Sequence, residues 1–473
     1  MSYAVYVGAN LTSDGCAYLA GYGDEPSSHW LELAPRAEHP PGSEIEVGVT
    51  PQSLMPGVRS RIPQAPVTAR HLRVDYSYYR GVPGPLTNGG LNEHGVAVRD
   101  VWSPSSDRLT RMTPADQRGL TYSDLARIAV ERARTAREGA ELIGELVDRY
   151  GDATYGGNSH LIADAREAWV VIQFSGGQKL WVAERVGADD IRVSRPGVIR
   201  QVPADYQTNP GYMGSPHLIS FAADHGWYDP AGGPFDANAV YGDGQGRWEG
   251  VRWMEAELAA RAARPARITL ADVMWAVRTE RFTGDSAGYG QVIPLPPSQH
   301  PDLRVLWHAP VGAVAAPLTP FFLGIASVPP EFRRHRYLTT GEDAAYVNVL
   351  DDERRSSVPQ RVEASRSAVA TFKRVLYLVA EHHELFLPEV TPVWEAFEQK
   401  TAGELTTVTE AARLLLESRQ AGRAADLLTQ FSSDRAIQAL DLGEALLASM
   451  DARSRLLFGI RDEPGWRGPE QIW

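Results

Sequence analysis

A serine at position 2 carries two reactive groups that could work together. The chain begins MSYAVYVGANLTSDGCAYLAGYGDE. Serine is small enough for a preceding methionine to be trimmed, which would leave a free α-amine beside the Ser2 hydroxyl. Such an amine has an ordinary pKa near ~8 and can activate the hydroxyl as a nucleophile. These residues predict covalent attack on a carbonyl group, although serine is also simply a common second residue.

Three other sequence patterns contain residues that could do chemistry, but they are less well supported as functional sites. The single cysteine, Cys16, follows an Asp-Gly turn, where we expect a packed and inert thiol. The adjacent histidines of EHHE at 381–384 point to different sides of a helix, whereas a zinc-binding helix has them four residues apart. GDGQG at 242–246 lacks a preceding strand and a following Lys-Ser or Lys-Thr, which argues against phosphate binding.

Composition excludes several classes of partner. The 473 residues are 43% hydrophobic and 22% charged, which allows a large core and two or three domains. A net charge of -12 disfavours nucleic acid and anionic membrane surfaces. No apolar stretch approaches the roughly 20 residues of a membrane span, and the N-terminus lacks a basic region followed by an apolar core. We expect a cytoplasmic protein with no nucleic-acid or membrane partner, and a homo-oligomer stays open.

The elements that would position Ser2 show in the alternation of apolar residues. Two extended runs around the TSDG turn predict a β-hairpin that begins at residue 2, so the N-terminus itself is committed to structure. Residues 24–85 predict loops and short strands. The strand-forming run GVAVRDVW precedes helical spacing in 122–151, and three extended runs after Gly151 predict an antiparallel meander. Because the strands come in antiparallel clusters, we expect a sheet with helices stacked on one face and not a βαβ repeat.

The second half of the chain becomes increasingly helical. Residues 195–250 predict loops, and helices are expected around 251–264 and 270–279. Four segments with regular apolar faces then follow: SAVATFKRVLYLVAEHHELFL, VWEAFEQKTAGEL, TEAARLLLESRQAGRAADLLTQF and IQALDLGEALLASMDARSRLLFGI. We therefore expect a catalytic domain over 2–345 and a helical C-terminal region over 346–473 packed on it.

Five motifs occur in a family-specific order: VGANLTSDGCAYLAGYGDE, GLNEHGVAV, GGNSHLIADAREAWVV, RTERFTGDSAGYG and LWHAPVGAVAAPLTPFFLGI. Together they resemble the PepD-type dipeptidases, a branch of the N-terminal-nucleophile hydrolases that also includes the secernins. The resemblance implies an α+β fold, a four-layered αββα sandwich, and no cofactor or metal. It also implies that the first residue of the mature chain is the nucleophile, usually Cys in this branch, and the family pattern places that position on Ser2.

The resemblance implies supporting charged residues near Ser2. Asp24, with Glu25 as its neighbour, aligns with a family acid that would orient the Ser2 amine or bind the α-amine of a peptide substrate. The arginine that precedes this acid in the family is replaced by Gly21. We expect Arg99 or Arg281 to replace the missing charge, and the alternative is altered or lost activity.

Two asparagines are candidate amide donors. Asn158 in GGNSHL stands where the resemblance implies a donor to the tetrahedral oxyanion, a contact typically worth ~3 kcal/mol. The alternative is a turn residue that closes GGN. Asn92 in NEHG resembles a superfamily motif that could contact substrate, but NEHG is also an ordinary hairpin sequence, and a mainly structural role is expected.

These residues predict a peptide or amide hydrolase, and the resemblance implies dipeptides as its substrates. Ser2 would form an acyl-enzyme that water hydrolyses. Two alternatives stay open. One is an amidohydrolase or acyltransferase for a specialised small-molecule amide, and the other is a catalytically inactive binding homologue.

Overall fold

Two antiparallel sheets face each other at the centre of the molecule. The computed structural model describes residues 2–23, 29–76, 82, 86–154, 156–281, 288–334 and 366–459. One sheet has six strands in the order β14-β1-β2-β18-β19-β20: β1 Tyr3–Val7, β2 Ala17–Gly23, β14 Ile191–Ser194, β18 Tyr289–Leu295, β19 Val305–Ala309 and β20 Thr319–Phe322.

The second sheet has eight strands in the order β16-β13-β12-β11-β10-β9-β8-β3: β3 His29–Ala34, β8 His71–Tyr76, β9 Leu86–Asn92, β10 Ala97–Trp102, β11 Asn158–Ala163, β12 Ala168–Gln173, β13 Trp181–Val186 and β16 Tyr212–Gly214. Three short strand pairs lie outside it: β4 Ala37–Glu38 with β7 Val67–Thr68, β5 Glu44–Val47 with β6 Ser60–Pro63, and β15 Gln201–Val202 with β17 Phe235–Asp236. The predicted meander after Gly151 is confirmed for β11, β12 and β13. Its last predicted run, DDIRVS, instead forms β14, which pairs with β1 in the six-stranded sheet.

Helices cover the outer face of each sheet. Their bounds are α1 Asp107–Thr110, α2 Tyr122–Arg132, α3 Ala136–Tyr150, α4 Leu218–Asp224, α5 Ala237–Tyr241, α6 Glu249–Ala262, α7 Leu270–Arg278, α8 Ala368–Glu381, α9 His383–Glu417 and α10 Ala421–Phe458. Helices α2 and α3 pack on the eight-stranded sheet, whereas α6, α7 and α10 pack on strands of the six-stranded sheet. The layer order is helix, sheet, sheet, helix, so the predicted αββα sandwich is confirmed.

Alternation along the strands separates two apolar layers. In β10 and β11, Val98 and Ile162 pack with α2 and α3. Their neighbours Ala97 and Leu161 belong to the core between the sheets. Successive side chains of a strand point to opposite faces, so each strand contributes to both layers. Capping boxes at Thr121 and Thr269 begin α2 and α7 at defined residues.

The N-terminal hairpin is confirmed and lies inside the six-stranded sheet. Tyr3 of β1 pairs with Tyr22 of β2, and on its other side β1 pairs with β14. Because β1 has a neighbour on each side, its backbone is fixed by two ladders. The first described residue, Ser2, thus enters directly into a central strand.

Within the described residues 366–459 the C-terminal region forms three helices, where the apolar pattern predicts four segments. The third predicted segment crosses Arg419, whose positive φ of 57° marks the break between α9 and α10. On either side of that break, neighbouring segments join into helices of 35 and 38 residues. Apolar periodicity cannot show a break this short. Among the described residues no helix combines the length and apolar character needed to cross a bilayer.

Glu398 of α9 joins the helical region to the sandwich. It forms a buried ion pair with Arg278 at the end of α7 and accepts the Leu318 N–H at 2.7 Å. Residues of α8, α9 and α10 share one apolar cluster with both sheets. The boundary predicted at residue 345 lies outside the described residues.

Candidate active site

Ser2 stands at the start of β1 and is half-buried. Tyr3 donates its hydroxyl to the carbonyl of Ala276 in α7, so Tyr3 faces the helices. Alternation then directs Ala4 and Tyr6 toward the opposing sheet. Continued one step back, the same alternation directs the Ser2 side chain into the space between the sheets.

Arg99 reaches across this space from the eight-stranded sheet. Its side chain is fully buried. Nη2 donates to the Tyr22 carbonyl at 2.5 Å, and Nη1 donates to the Tyr289 hydroxyl at 2.5 Å and to Asp100 Oδ1 at 3.3 Å. Since Tyr22 is the strand partner of Tyr3, this guanidinium lies beside the backbone that carries Ser2.

Gly21 has a steric reason to be glycine. Its φ is +150°, and a Cβ built there would lie 2.1 Å from the Tyr3 carbonyl oxygen. A side chain at this position would therefore push β1 and β2 apart. The family arginine cannot stand here without a backbone change, and the buried positive charge near Ser2 comes from Arg99 on the facing sheet.

The other predicted charged residues are Asp24, Glu25 and Arg281. Asp24 and Glu25 lie outside the described residues. Arg281 follows α7, and its guanidinium lies 4.3 Å from the centre of the Trp253 ring in α6, on the helix-covered side of the six-stranded sheet. Of the two arginines expected to replace the family charge, the structure places Arg99 beside β1 and β2.

Asn158 faces the helix side of the eight-stranded sheet. Two residues further along β11, on the same face, His160 donates its Nε2–H to the Tyr122 carbonyl at 2.9 Å. The Asn158 side chain lines a cavity of about 10 Å³ together with Asp152, Thr154 and Gln173. Asn158 Oδ1, Asp152 Oδ1 and Gln173 Nε2 have no hydrogen-bond partner among the described residues. The amide predicted to bind an oxyanion thus points into this cavity, away from the inter-sheet face.

Burial shifts the pKa values of two titratable groups near Asn158 toward the neutral form. Desolvation raises the pKa of the Asp152 carboxyl to about 7. Desolvation also lowers the pKa of His160 to about 4, although its hydrogen bonds to Tyr122 and Gln173 favour the charged form. Both shifts have the direction expected where burial disfavours an isolated charge.

Asn92 uses its whole amide to support the turn after β9. Its Nδ2 donates to the carbonyls of Val130 and Ala133, and its Oδ1 accepts from the N–H groups of His94 and Val96. An asparagine amide has two donor hydrogens and two acceptor lone pairs, so no capacity is left for substrate. These bonds favour the structural interpretation of Asn92.

Part of the chain matches proteins of a known family. Residues 56–249 match the model of peptidase family C69. A probable dipeptidase of Salmonella dublin is 36% identical over 159 residues, which cover 33% of this chain and 35% of that protein. A probable dipeptidase of Latilactobacillus sakei is 27% identical over 154 residues, which cover 31% and 32%. Over this part of its length the chain is similar to peptidase family C69 and to proteins described as probable dipeptidases.

The matched stretches span about a third of the length of these relatives. A mutant of conjugated bile acid hydrolase from Clostridium perfringens aligns over 68% of this chain and 92% of its own, with 10% identity and a TM-score of 0.33. At that TM-score the fold assignment rests on the strand pairing and layer order of this chain alone.

Arg195 is a buried arginine near β1 that sequence reasoning did not single out. It follows β14 and donates from Nη1 to the Tyr22 hydroxyl at 2.8 Å. Its guanidinium also lies 5.0 Å from the centre of the Trp248 ring. Two buried arginines thus contact Tyr22, Arg99 at its carbonyl and Arg195 at its hydroxyl on the helix side of the sheet. The pairing of β14 with β1 brings Arg195 to this place. No local sequence pattern predicts a pairing between strands so far apart in the sequence.

Cys16 lies at the opposite end of β2 from the Arg99 contact. Burial raises the pKa of its thiol to about 12, with a further contribution from the Asp14 carboxylate. A thiol is nucleophilic as the thiolate, so this environment suppresses its reactivity. Among the described residues, no three His, Cys, Asp or Glu side chains are grouped as metal ligands would be.

Proposed function

We propose that the chain is a peptide or amide hydrolase that acts on dipeptides, with Ser2 as nucleophile after removal of Met1. The observation that supports the proposal is the contact of the Arg99 guanidinium with the carbonyl of Tyr22, the strand partner of Tyr3, which follows Ser2 at the start of a central strand. The probable dipeptidases among the relatives support dipeptides as the substrate class.

In the proposed reaction, the Ser2 hydroxyl oxygen attacks the substrate carbonyl while the Ser2 α-amine takes the hydroxyl proton. The tetrahedral intermediate collapses, the C–N bond breaks, and the departing amine receives that proton. Water, deprotonated by the same α-amine, then cleaves the ester and restores the serine. No cofactor enters any step.

Arg99 has a specific electrostatic role in this proposal. A positive charge near an ammonium disfavours the protonated form and lowers its pKa. The buried guanidinium would therefore keep the Ser2 amine in the neutral form that acts as a base near neutral pH. Arg99 is thus a positioning residue for the backbone of β2 and an electrostatic partner of the nucleophile.

We also keep Asn158 in the proposal as a donor to the oxyanion, as the family resemblance implies. Its amide points into the cavity beside Asp152 and Gln173, so this role requires the side chain to turn past the end of β11 when substrate binds. Backbone N–H groups could stabilise the oxyanion without that movement.

Turnover of a dipeptide panel, combined with intact mass measurement, tests the proposed function. We expect hydrolysis by protein whose mass lacks Met1. Full activity with Met1 retained would contradict the amine-as-base mechanism. The absence of an arginine at Gly21 is the observation that favours an inactive binding homologue, and dipeptide binding without any turnover would support that alternative.

A further inference from the structure

A transverse row of side chains crosses the six-stranded sheet one step deeper than Ser2. Strand pairing sets these residues side by side in the order Ser194, Ala4, Gly21, Gln291, His308 and Thr319. Every member of the row is buried. Four of the six are polar, which is unusual in the middle of an apolar core.

The row lies on the face that looks toward the eight-stranded sheet. Tyr289, two residues before Gln291 on β18, accepts a hydrogen bond from Arg99 of the opposing sheet. Gly290, between them, faces the other way, because a Cβ built on it would lie 3.2 Å from Val277 of α7. Gln291 therefore points into the space between the sheets, and its directly paired neighbours share that face.

The polar atoms of the row are not satisfied by the protein. Both amide atoms of Gln291, the Ser194 hydroxyl oxygen and His308 Nδ1 have no hydrogen-bond partner among the residues that the structure describes. Buried polar groups are hydrogen-bonded in the large majority of cases, because leaving one unpaired costs about 1–3 kcal/mol. Three such side chains in one row indicate a site for a hydrogen-bonding ligand group.

The two smallest members of the row, Ala4 and Gly21, separate Ser194 from Gln291. Strands lie about 4.8 Å apart, so three strand spacings put the Cα atoms of Ser194 and Gln291 about 14 Å apart, with the stretch of small residues Ala4 and Gly21 between them. Ser2 precedes Ala4 by two residues, which is about 7 Å along an extended chain. A substrate whose carbonyl lies at Ser2 would have its acyl-side residue next to this stretch.

We propose that Ser194, Gln291 and His308 form a subsite for an uncharged hydrogen-bonding side chain, a carboxamide or hydroxyl, on the acyl-side residue of the dipeptide. This inference rests on the proposed function for the position of the carbonyl. The row contains no ionised group, since burial lowers the pKa of His308 to about 3. An amide such as that of Gln291 can donate and accept at once, which matches another carboxamide.

The test compares two nearly isosteric dipeptides, glutaminyl-alanine and methionyl-alanine. With wild-type protein we expect kcat/KM for the glutaminyl substrate to be larger by about tenfold or more, because a site with unpaired polar groups rejects an analogue that cannot pair with them. Gln291→Met should bring the ratio close to one, and Ser194→Ala should reduce it. Thr319→Val is the matched control, because the Thr319 hydroxyl already donates to the His308 carbonyl at 3.1 Å.

A binding measurement separates this inference from the proposed reaction. Titration calorimetry of the same two dipeptides with Ser2→Ala protein reads the preference without turnover. If Ser2→Ala protein prefers the glutaminyl dipeptide in binding but wild type hydrolyses neither dipeptide, the proposed hydrolase function is wrong and the proposed subsite stands. Equal binding and equal turnover of the two dipeptides, or no binding of either, would overturn the subsite. Thermal unfolding of each variant identifies folding defects, and Ser194→Ala replaces Gln291→Met if the latter does not fold.

Discussion

The guanidinium of Arg99 on one sheet donates a 2.5 Å hydrogen bond to the carbonyl of Tyr22 on the other. Gly21, the neighbour of Tyr22, could not carry an arginine without disturbing the Tyr3 carbonyl. The Arg99 guanidinium thus approaches the hairpin from the facing sheet. The proposal that Arg99 replaces the family arginine rests on this contact.

The first prediction concerns the nucleophile. Ser2→Ala should reduce turnover by several orders of magnitude, because the attacking oxygen is lost, although donors that remain can leave a residual rate. Ser2→Cys should keep part of the activity, since a thiol can be activated by the same α-amine. Steady-state kinetics check both variants, with unfolding curves as the folding control. Wild-type rates in Ser2→Ala would refute the mechanism.

The second prediction concerns the charge at Arg99. Arg99→Met should raise the pKa of the Ser2 ammonium, so the acid limb of the kcat/KM profile should move to higher pH. At neutral pH we expect a loss of about tenfold or more, which corresponds to one pKa unit. Arg99→Lys keeps the charge and should keep the acid limb near its wild-type position.

Arg413→Met is the control for that experiment, because Arg413 is a partly exposed residue of α9 paired with Glu410. Loss of a buried charge partner can also destabilise the fold by about 3–5 kcal/mol, so denaturation is measured alongside. An unshifted acid limb in a folded Arg99→Met protein would leave Arg99 with a purely structural role.

The third prediction concerns the buried carboxyl of Asp152. Its pKa is about 7 in the folded protein and about 3.9 when unfolded. The folded-state pKa is the higher one, so the stabilising contribution is complete below pH ~4 and is lost as the pH rises through 7. Asp152→Asn removes this titration. The free energy of unfolding of Asp152→Asn minus that of wild type should therefore be larger at pH 8 than at pH 4, by at most about 4 kcal/mol.

Denaturant unfolding at both pH values checks the Asp152 prediction. Asp426→Asn, at an exposed position of α10, is the matched control and should show no such pH dependence. If the difference in stability between wild type and Asp152→Asn is the same at pH 4 and pH 8, the Asp152 carboxyl is solvated or paired.

The fourth prediction concerns Cys16. Replacement by Ser or Ala, and alkylation of the thiol, should leave turnover within a few fold, because burial and the Asp14 carboxylate keep the thiol protonated. Complete inactivation in both experiments would transfer the nucleophile to Cys16.

The fifth prediction separates two roles for Asn158. If its amide turns to the oxyanion, Asn158→Ala should lower kcat by about a hundredfold or more with little change in stability. If it stays beside Asp152, the variant should change unfolding and leave kcat nearly unaffected. Asn92→Ala serves as the reference for a purely structural asparagine. Its amide makes four hydrogen bonds to backbone groups, so we expect this variant to lose stability.

Local pattern predicts much of the fold. The N-terminal hairpin, the meander and helices α6 and α7 are correct within about two residues, because alternation and helical spacing are local signals. The region 24–85 contains β3 and β8, six-residue strands that pair with each other at the edge of the eight-stranded sheet. Turn residues between them conceal this long-range pairing.

The site was less accessible to sequence reasoning. Ser2 and Arg99 were predicted from residue type and resemblance, but the contact of Arg99 with Tyr22 depends on how two sheets stack. Gln291 and Ser194 enter the same row only through strand pairing across more than a hundred residues. Asn158 shows the reverse case, because residue type indicated a donor and the strand's alternation turned it to the helix side.

The ion pair of Glu398 with Arg278 also has a consequence for how the chain could be divided. Glu398 comes from the C-terminal helices, yet its partners close the end of α7 and hold the Leu318 N–H. A fragment that ends near residue 345 would leave Arg278 in an apolar environment without its counter-charge and would uncover the apolar side of β20. We therefore expect the sandwich and its helical cover to fold together, and neither part to be stable without the other.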